Sequence, residues 1–207
     1  MSEWLNLVLA GWTAMPWLEA TAVILALAYL VLAAKEHIAC WACALVSCAI
    51  YIYIFLDARL YSESLLQGYY LLMAVYGWLQ WTRGTHGSSR PISTWPWQRH
   101  LLVIVLTGAC VPLLGLWMQS RGAALPYLDA FTTCFAIVTT FMVTHKILEN
   151  WLYWLVVDSI SIYLYVQREL YLTVALFAIY LIIVVLGFVR WQREYRRQHA
   201  TVALAPA

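Results

Sequence analysis

Met15-Pro16-Trp17-Leu18-Glu19-Ala20 is followed 110 residues later by Leu125-Pro126-Tyr127-Leu128-Asp129-Ala130, and no gap is needed to keep the two copies in step. Outward from these runs, Trp41 meets Trp151, Tyr53 meets Tyr163 and Leu60-Tyr61 meets Leu170-Tyr171 at the same offset. Tyr70 then meets Tyr180, Gly77 meets Gly187, Trp81 meets Trp191 and Arg83 meets Arg193. Two copies of one unit in so apolar a chain point to a transporter built from two halves, with a solute site between them.

The chain of 207 residues is 64% hydrophobic and 11% charged, with a mean hydropathy of +0.76. Soluble domains have roughly 45–50% apolar and about 25% charged residues. Water cannot solvate such a surface, so the bilayer is the solvent and each span is a helix that satisfies its own backbone. A net charge of +2, without a basic stripe, excludes nucleic acid as a partner. Cys40, Cys43, Cys48, Cys110 and Cys134 all fall inside apolar runs. Cys40-Trp41-Ala42-Cys43 has the spacing of a redox or zinc pair. No second pair or histidine cluster accompanies it, so the thiols read as small apolar side chains and no metal or cofactor is expected. Residues 1–16 carry Glu3 and no basic n-region; they read as an interfacial lead with Trp4 and Trp12 rather than as a cleavable signal.

A span needs about 20 apolar residues to cross the hydrocarbon core. Seven candidates occur, at 17–34, 38–56, 61–82, 100–118, 126–144, 149–167 and 171–190, and the long polar stretch 83–99 reads as a solvent-exposed linker. One edge of the bundle collects Lys35, Arg83, Arg90, Arg99, Lys146, Arg190, Arg193, Arg196 and Arg197, whereas the other has Arg59, Arg121 and Arg168. The positive-inside bias therefore predicts an outside N-terminus and a cytoplasmic C-terminus. A three-helix unit exits opposite to its entry, so a directly attached copy would be inverted. The fourth span has no partner in the repeat and carries the chain back, which makes the two units parallel. The expected fold is thus an all-α polytopic membrane protein whose seven transmembrane helices form two parallel three-helix repeats plus a linker helix (3+1+3). The corresponding segments are a lead at 1–16, a first unit at 17–83, a loop and linker helix at 84–125, a second unit at 126–193 and a cytoplasmic tail at 194–207.

Matching positions report the scaffold, and mismatched polar positions report what one half does alone. Asn150, Trp154 and Asp158 recur at i, i+4 and i+8 on one helix face; their counterparts are Cys40, Ala44 and Cys48. If the two faces meet, the small side leaves a cavity and the large side furnishes it. A carboxylate at mid-membrane costs at least ~2.5–3.5 kcal/mol. Asp158 is therefore either bonded to Ser159, Ser161 or a tyrosine hydroxyl, or held for a solute with hydroxyl or cationic groups. Gln67, opposite Phe177, shares a helix face with Tyr70, Ala74 and Trp78, and reads as helix–helix glue or as a binding amide. Glu19 and Asp129 follow a proline at a span start, where carboxylates complement the helix dipole. Lys35 and Lys146 read as snorkelling cations. His37 and His145 share that level, and most of the 14 Tyr and 12 Trp read as belt and packing residues.

The run Glu149-Asn150-Trp151-Leu152-Tyr153-Trp154, followed by Asp158, Tyr163-x-Tyr165 and Leu170-Tyr171, resembles the signature of the PnuC-type nicotinamide riboside transporters. Gln67-Gly68-Tyr69-Tyr70 and Tyr76-Gly77-Trp78-x-x-Trp81 are similar to that family's first-unit motifs, and the likeness spans residues 16–197. The resemblance implies a SWEET-like fold, a homotrimer in the bacterial inner membrane, and facilitated diffusion of nicotinamide riboside trapped by cytoplasmic phosphorylation. Related members carry thiamine or other B-type vitamins. It further implies that Asn150 and Gln67 bond the carboxamide or ribose, that Trp154 with Trp78 or Tyr70 stacks on the pyridinium ring, and that Asp158 serves the ribose hydroxyls or the positive ring. The spans hold no phosphate-binding loop and no basic cluster, which favours riboside over mononucleotide. An enzyme would need a nucleophile–base pair or metal ligands at a common depth, and none is evident. A retinal photoreceptor would need a lysine in 171–190, which has none. A receptor that binds without transporting remains distinguishable by counterflow.

Overall fold

Apolar runs of 18 residues or more become helices because a backbone removed from water must bond to itself. The computed structural model describes residues 17–57, 61–83 and 90–203, and these form seven helices. They are α1 (Trp17–Ala34), α2 (Ala39–Asp57), α3 (Tyr61–Thr82), α4 (Trp97–Ser120), α5 (Pro126–Thr144), α6 (Asn150–Gln167) and α7 (Tyr171–Ala203). The lead at 1–16 and Arg59 lie outside the described residues. Five helices, α1, α2, α4, α5 and α7, are long and apolar enough to cross a membrane. The other two, α3 and α6, are those that carry Gln67, Asn150 and Asp158. Helix α7 continues past the expected end at 190 to Ala203, because Arg190, Trp191 and the basic run 193–197 contain no glycine or proline to stop it.

Helices α1, α2 and α3 contact one another in sequence, as do α5, α6 and α7, with α4 laid against α5. Two further contacts join these groups, α1 with α7 and α3 with α5. Each is the other shifted by the repeat.

The same shift governs the tryptophan core. Trp41 meets Trp81 edge-on, with centroids 5.2 Å apart, and Trp151 meets Trp191 at 5.4 Å. A Cβ on Gly77 would collide with the Trp41 ring, and one on Gly187 with the Trp151 ring. Both glycines are thus cradles for an indole. The Trp81 indole donates to the Val143 carbonyl at 3.3 Å, and the Trp191 indole to the Ala33 carbonyl at 3.1 Å.

Lys146 departs from the expected snorkelling cation. It is only 1% exposed, its Nζ lies 2.9 Å from the Glu36 carboxylate and 4.7 Å from the Trp81 ring centroid, and it does not reach solvent. The reason is local. Glu36 and Lys146 are both left-handed, at φ 55° and 51°, a conformation uncommon for residues other than glycine. It forms the tight turns that carry α1 into α2 and α5 into α6. The carboxylate and the indole face then replace the water that a buried ammonium has lost. Lys35, by contrast, is exposed.

The interval 83–99 also departs from expectation, since residues 90–96 are not a solvated linker. Ser93 N–H donates to the Lys146 carbonyl at 3.0 Å, and Leu148 N–H donates to the Ser93 carbonyl at 2.8 Å, as a single parallel bridge. Ile92, 2% exposed, enters the tryptophan core. Its N–H donates to Gln198 of α7 at 3.2 Å, while the Trp95 N–H donates to Glu149 at 3.4 Å. Burying Ile92 draws the backbone down, and each lowered N–H requires a partner.

Candidate solute site between the two helix groups

The polar face of α6 keeps its expected direction. Asn150, Asp158 and Ser161 are buried, and Trp154 packs half-buried against both apolar clusters of the protein. Eight residues of helix separate Asn150 from Asp158, a rise of about 12 Å, so the two stand at different depths. Asn150 opens α6 beside the Lys146 turn. Its amide donates to the Ile147 carbonyl at 2.6 Å, and its side-chain oxygen is buried without a partner.

Asp158 lies near the middle of α6 and is 4% exposed. Among the described residues its carboxylate has neither an ion pair nor a hydrogen bond. Ser159 is occupied elsewhere, donating to the Leu155 carbonyl of its own helix at 2.7 Å. The carboxylate is instead within electrostatic reach of the hydroxyls of Tyr70 on α3, Tyr165 on α6 and Tyr180 on α7. Tyr51 of α2 stands in the same relation to Tyr165 and Tyr180, and Tyr29 of α1 to Tyr70 and Cys48. None of these five hydroxyls bonds to another described residue. Phe177 completes the wall, 5.0 Å from Tyr165 and 5.2 Å from Tyr180 between ring centroids.

A buried Asp158 side chain and five half-buried tyrosines, whose carboxylate and hydroxyls bond to no other described residue, leave donors and acceptors that a polar solute can meet. Tyr70 and Trp154 line the adjoining apolar wall of Phe135, Ala136 and Val157. Gln67 is half-buried one turn from Tyr70, with its amide free among the described residues. Trp78 stands apart. It is 38% exposed, on the face of Leu72, Val75 and Leu79. The buried stripe at that level runs through Gly77 and Trp81, and Trp78 falls just beyond its edge. Sequence reading missed Tyr29, Tyr51, Tyr165 and Tyr180. Two signals were available: Tyr180 repeats Tyr70, one of the residues singled out, and Tyr165 stands in the Tyr163-x-Tyr165 run that carries the resemblance. No group of metal-ligating side chains occurs among the described residues.

Residues 16–193 match the family described as nicotinamide mononucleotide transporter. Among individual proteins, the chain is 25% identical over 190 residues to the nicotinamide riboside transporter PnuC of Escherichia coli (strain K12), covering 78% of this chain and 79% of that one. It is 24% identical over 199 residues to the PnuC of Neisseria mucosa, covering 87% and 74%. A crystal structure of the vitamin B3 transporter PnuC superposes with a TM-score of 0.74 at 22% identity, covering 94% of this chain and 89% of that one. At that identity the superposition shows the shared fold.

Proposed function

The chain belongs to the nicotinamide mononucleotide transporter family, and we propose that it takes up nicotinamide riboside by facilitated diffusion, feeding NAD synthesis. The observation that carries this reading is Asp158, buried and, among the described residues, without a partner amid unbonded tyrosine hydroxyls. A riboside offers a planar cation and several hydroxyls. Asp158 suits the positive ring or the sugar diol, the tyrosines suit the sugar, and Trp154 with Tyr70 suits the ring face. Asn150, with its free acceptor oxygen, and Gln67 suit the carboxamide end. The family is described by a mononucleotide, but Arg168, the cation within electrostatic reach of Tyr165, is paired with Asp129, and no unpaired Lys or Arg stands among these residues. A phosphate dianion beside Asp158 would be repelled, and the riboside avoids that cost.

The proposed mechanism is alternating access by two parallel units, 17–83 and 126–193, joined through α4 in a 3+1+3 arrangement. Support comes from contacts that obey the 110-residue shift: the two tryptophan pairs, the reciprocal indole bonds and the Glu36–Lys146 pair. The indole bonds and the ion pair latch both units together at the basic end. We assign that end to the cytoplasm of a bacterial inner membrane from the bias in Lys and Arg. The solute site would then face outward until the latch opens. The homotrimer implied by the resemblance would show as a threefold mass in light scattering.

The test is counterflow in sealed proteoliposomes, paired with a binding titration of purified protein using nicotinamide riboside, thiamine and riboflavin. Exchange of labelled riboside without any proton or sodium gradient is expected. Binding without exchange would make the protein a receptor, a required gradient would end the facilitator reading, and preference for thiamine would reassign the solute.

A further inference from the structure

A cleft of about 410 Å³ opens at the basic end between the docked segment 90–96 and the end of α5. Arg90, Arg99 and His145 line it with Ser93, Thr94 and Trp95. No carboxylate lines it. Arg90 donates to the neutral Gln80 side chain at 2.7 Å, and the Arg99 guanidinium lies 5.5 Å from the Trp95 ring centroid. Neither arginine has a carboxylate partner among the described residues. The nearby Glu149 accepts from the Trp95 N–H, with His100 Nε2 3.8 Å from it.

The helix that borders the cleft adds to the imbalance. Helix α4 begins at Trp97 with no acid in its first turn, where the dipole favours one, and Arg99 and His100 stand there instead. Guanidinium groups and the Ser93 and Thr94 hydroxyls are donors that phosphate esters select, and Arg recognises their oxygens bidentately. Trp95 and Phe141 supply apolar wall beside them, and the volume lies in the range of small-ligand pockets.

We propose that this cleft binds a phosphate ester, distinct in place and in charge from the central riboside site. Its placement on the cytoplasmic face rests on the functional reading above. Two sources present this chemistry there: a soluble nucleoside monophosphate, which is the phosphorylated form of the carried solute, and an anionic phospholipid headgroup. An ester held by Arg90 and Arg99 would fasten segment 90–96 to α4, beside the Glu36–Lys146 latch.

The test uses the full chain in two arms. In phospholipid-free detergent, nicotinamide mononucleotide is titrated calorimetrically. In nanodiscs, melting is compared between phosphatidylglycerol and phosphatidylcholine. The double variant R90Q/R99Q should weaken whichever interaction is present at least tenfold, or abolish the lipid shift, and R90K/R99K should retain more of it. The arm that responds identifies the source. Riboside affinity, measured on the same samples, should be unchanged in both variants, which shows that they are folded. It also reads the central site separately, so failure of riboside to bind the parent chain would sink that reading and leave this one standing. Absence of a response in both arms, or equal responses from parent and R90Q/R99Q, would overturn the phosphate-ester site.

Discussion

The basic end of the molecule and its middle are built by the same repeat and obey opposite rules. At the basic end, residues 110 positions apart do the same work. Trp41 and Trp151 each cover a glycine, and Trp81 and Trp191 each bond a carbonyl of the opposite helix group. In the middle, Cys48 corresponds to Asp158 and Phe177 to Gln67. Repetition there would place two carboxylates against one small solute, or none. The difference teaches where to look: the matched tryptophans and glycines hold the helices together, and under the proposed reading the mismatched Asp158 and Gln67 give the solute site its asymmetry.

The strongest blow to the comparison would fall on the glycines. Gly77→Ala and Gly187→Ala should each destabilise by about 3 kcal/mol, the upper range for overpacking a tight core, as read by thermal melting in detergent. Because the cradles are equivalent, the two losses should agree within about 0.5 kcal/mol; a large inequality would deny their equivalence. Asp158→Asn should cost about 2 kcal/mol of riboside binding, or ~30-fold in Kd. Cys48→Ala should change Kd less than about twofold, since it removes no polar contact. Equal effects at these two positions would erase the asymmetry proposed for the middle. Trp154→Ala should weaken binding about fivefold through loss of a cation–π face, with its counterpart Ala44 offering nothing to remove.

The smallest effect concerns pH at the basic end. Burial lowers the pKa of His145 from its ordinary 6.5, aided by the charge of Arg90 and opposed by its bond to the Phe141 carbonyl. The folded value lies below the unfolded one, so on acidification the unfolded chain takes up the proton first. That contribution to stability is complete above about pH 6.5 and is lost as the pH falls towards the folded value. The melting temperature should therefore drop between pH 7.5 and 5.5, and drop less in His145→Asn. Its counterpart Lys35 is exposed, so Lys35→Ala should leave the pH profile unaltered.

The helices were legible because apolar runs and their polar interruptions are local properties of the chain. The polar face of α6 was legible for the same reason, since the spacing of Asn150, Trp154 and Asp158 fixes their common direction. What the sequence could not disclose depends on packing between helices. Tyr29, Tyr51, Tyr165 and Tyr180 come from four helices, and nothing local separates them from tyrosines such as Tyr53 and Tyr163, which are exposed. The burial of Lys146 needed a left-handed turn and a partner in the equivalent turn of the other helix group. The docking of 90–96 turned on one apolar residue, Ile92, in a polar context. Trp78 lies just outside the stripe that Gly77 and Trp81 define, because a helix face assigned over three turns drifts from it.

The Glu36–Lys146 pair has a bearing on ancestry. The two residues are 110 positions apart and lie 2.9 Å apart, so each meets its own repeat image. If two identical three-helix chains had assembled about a twofold axis, that place would set Glu against Glu or Lys against Lys. Opposite charges can meet there only after the copies have diverged. Expressed as separate fragments, the two units should for the same reason prefer each other to themselves.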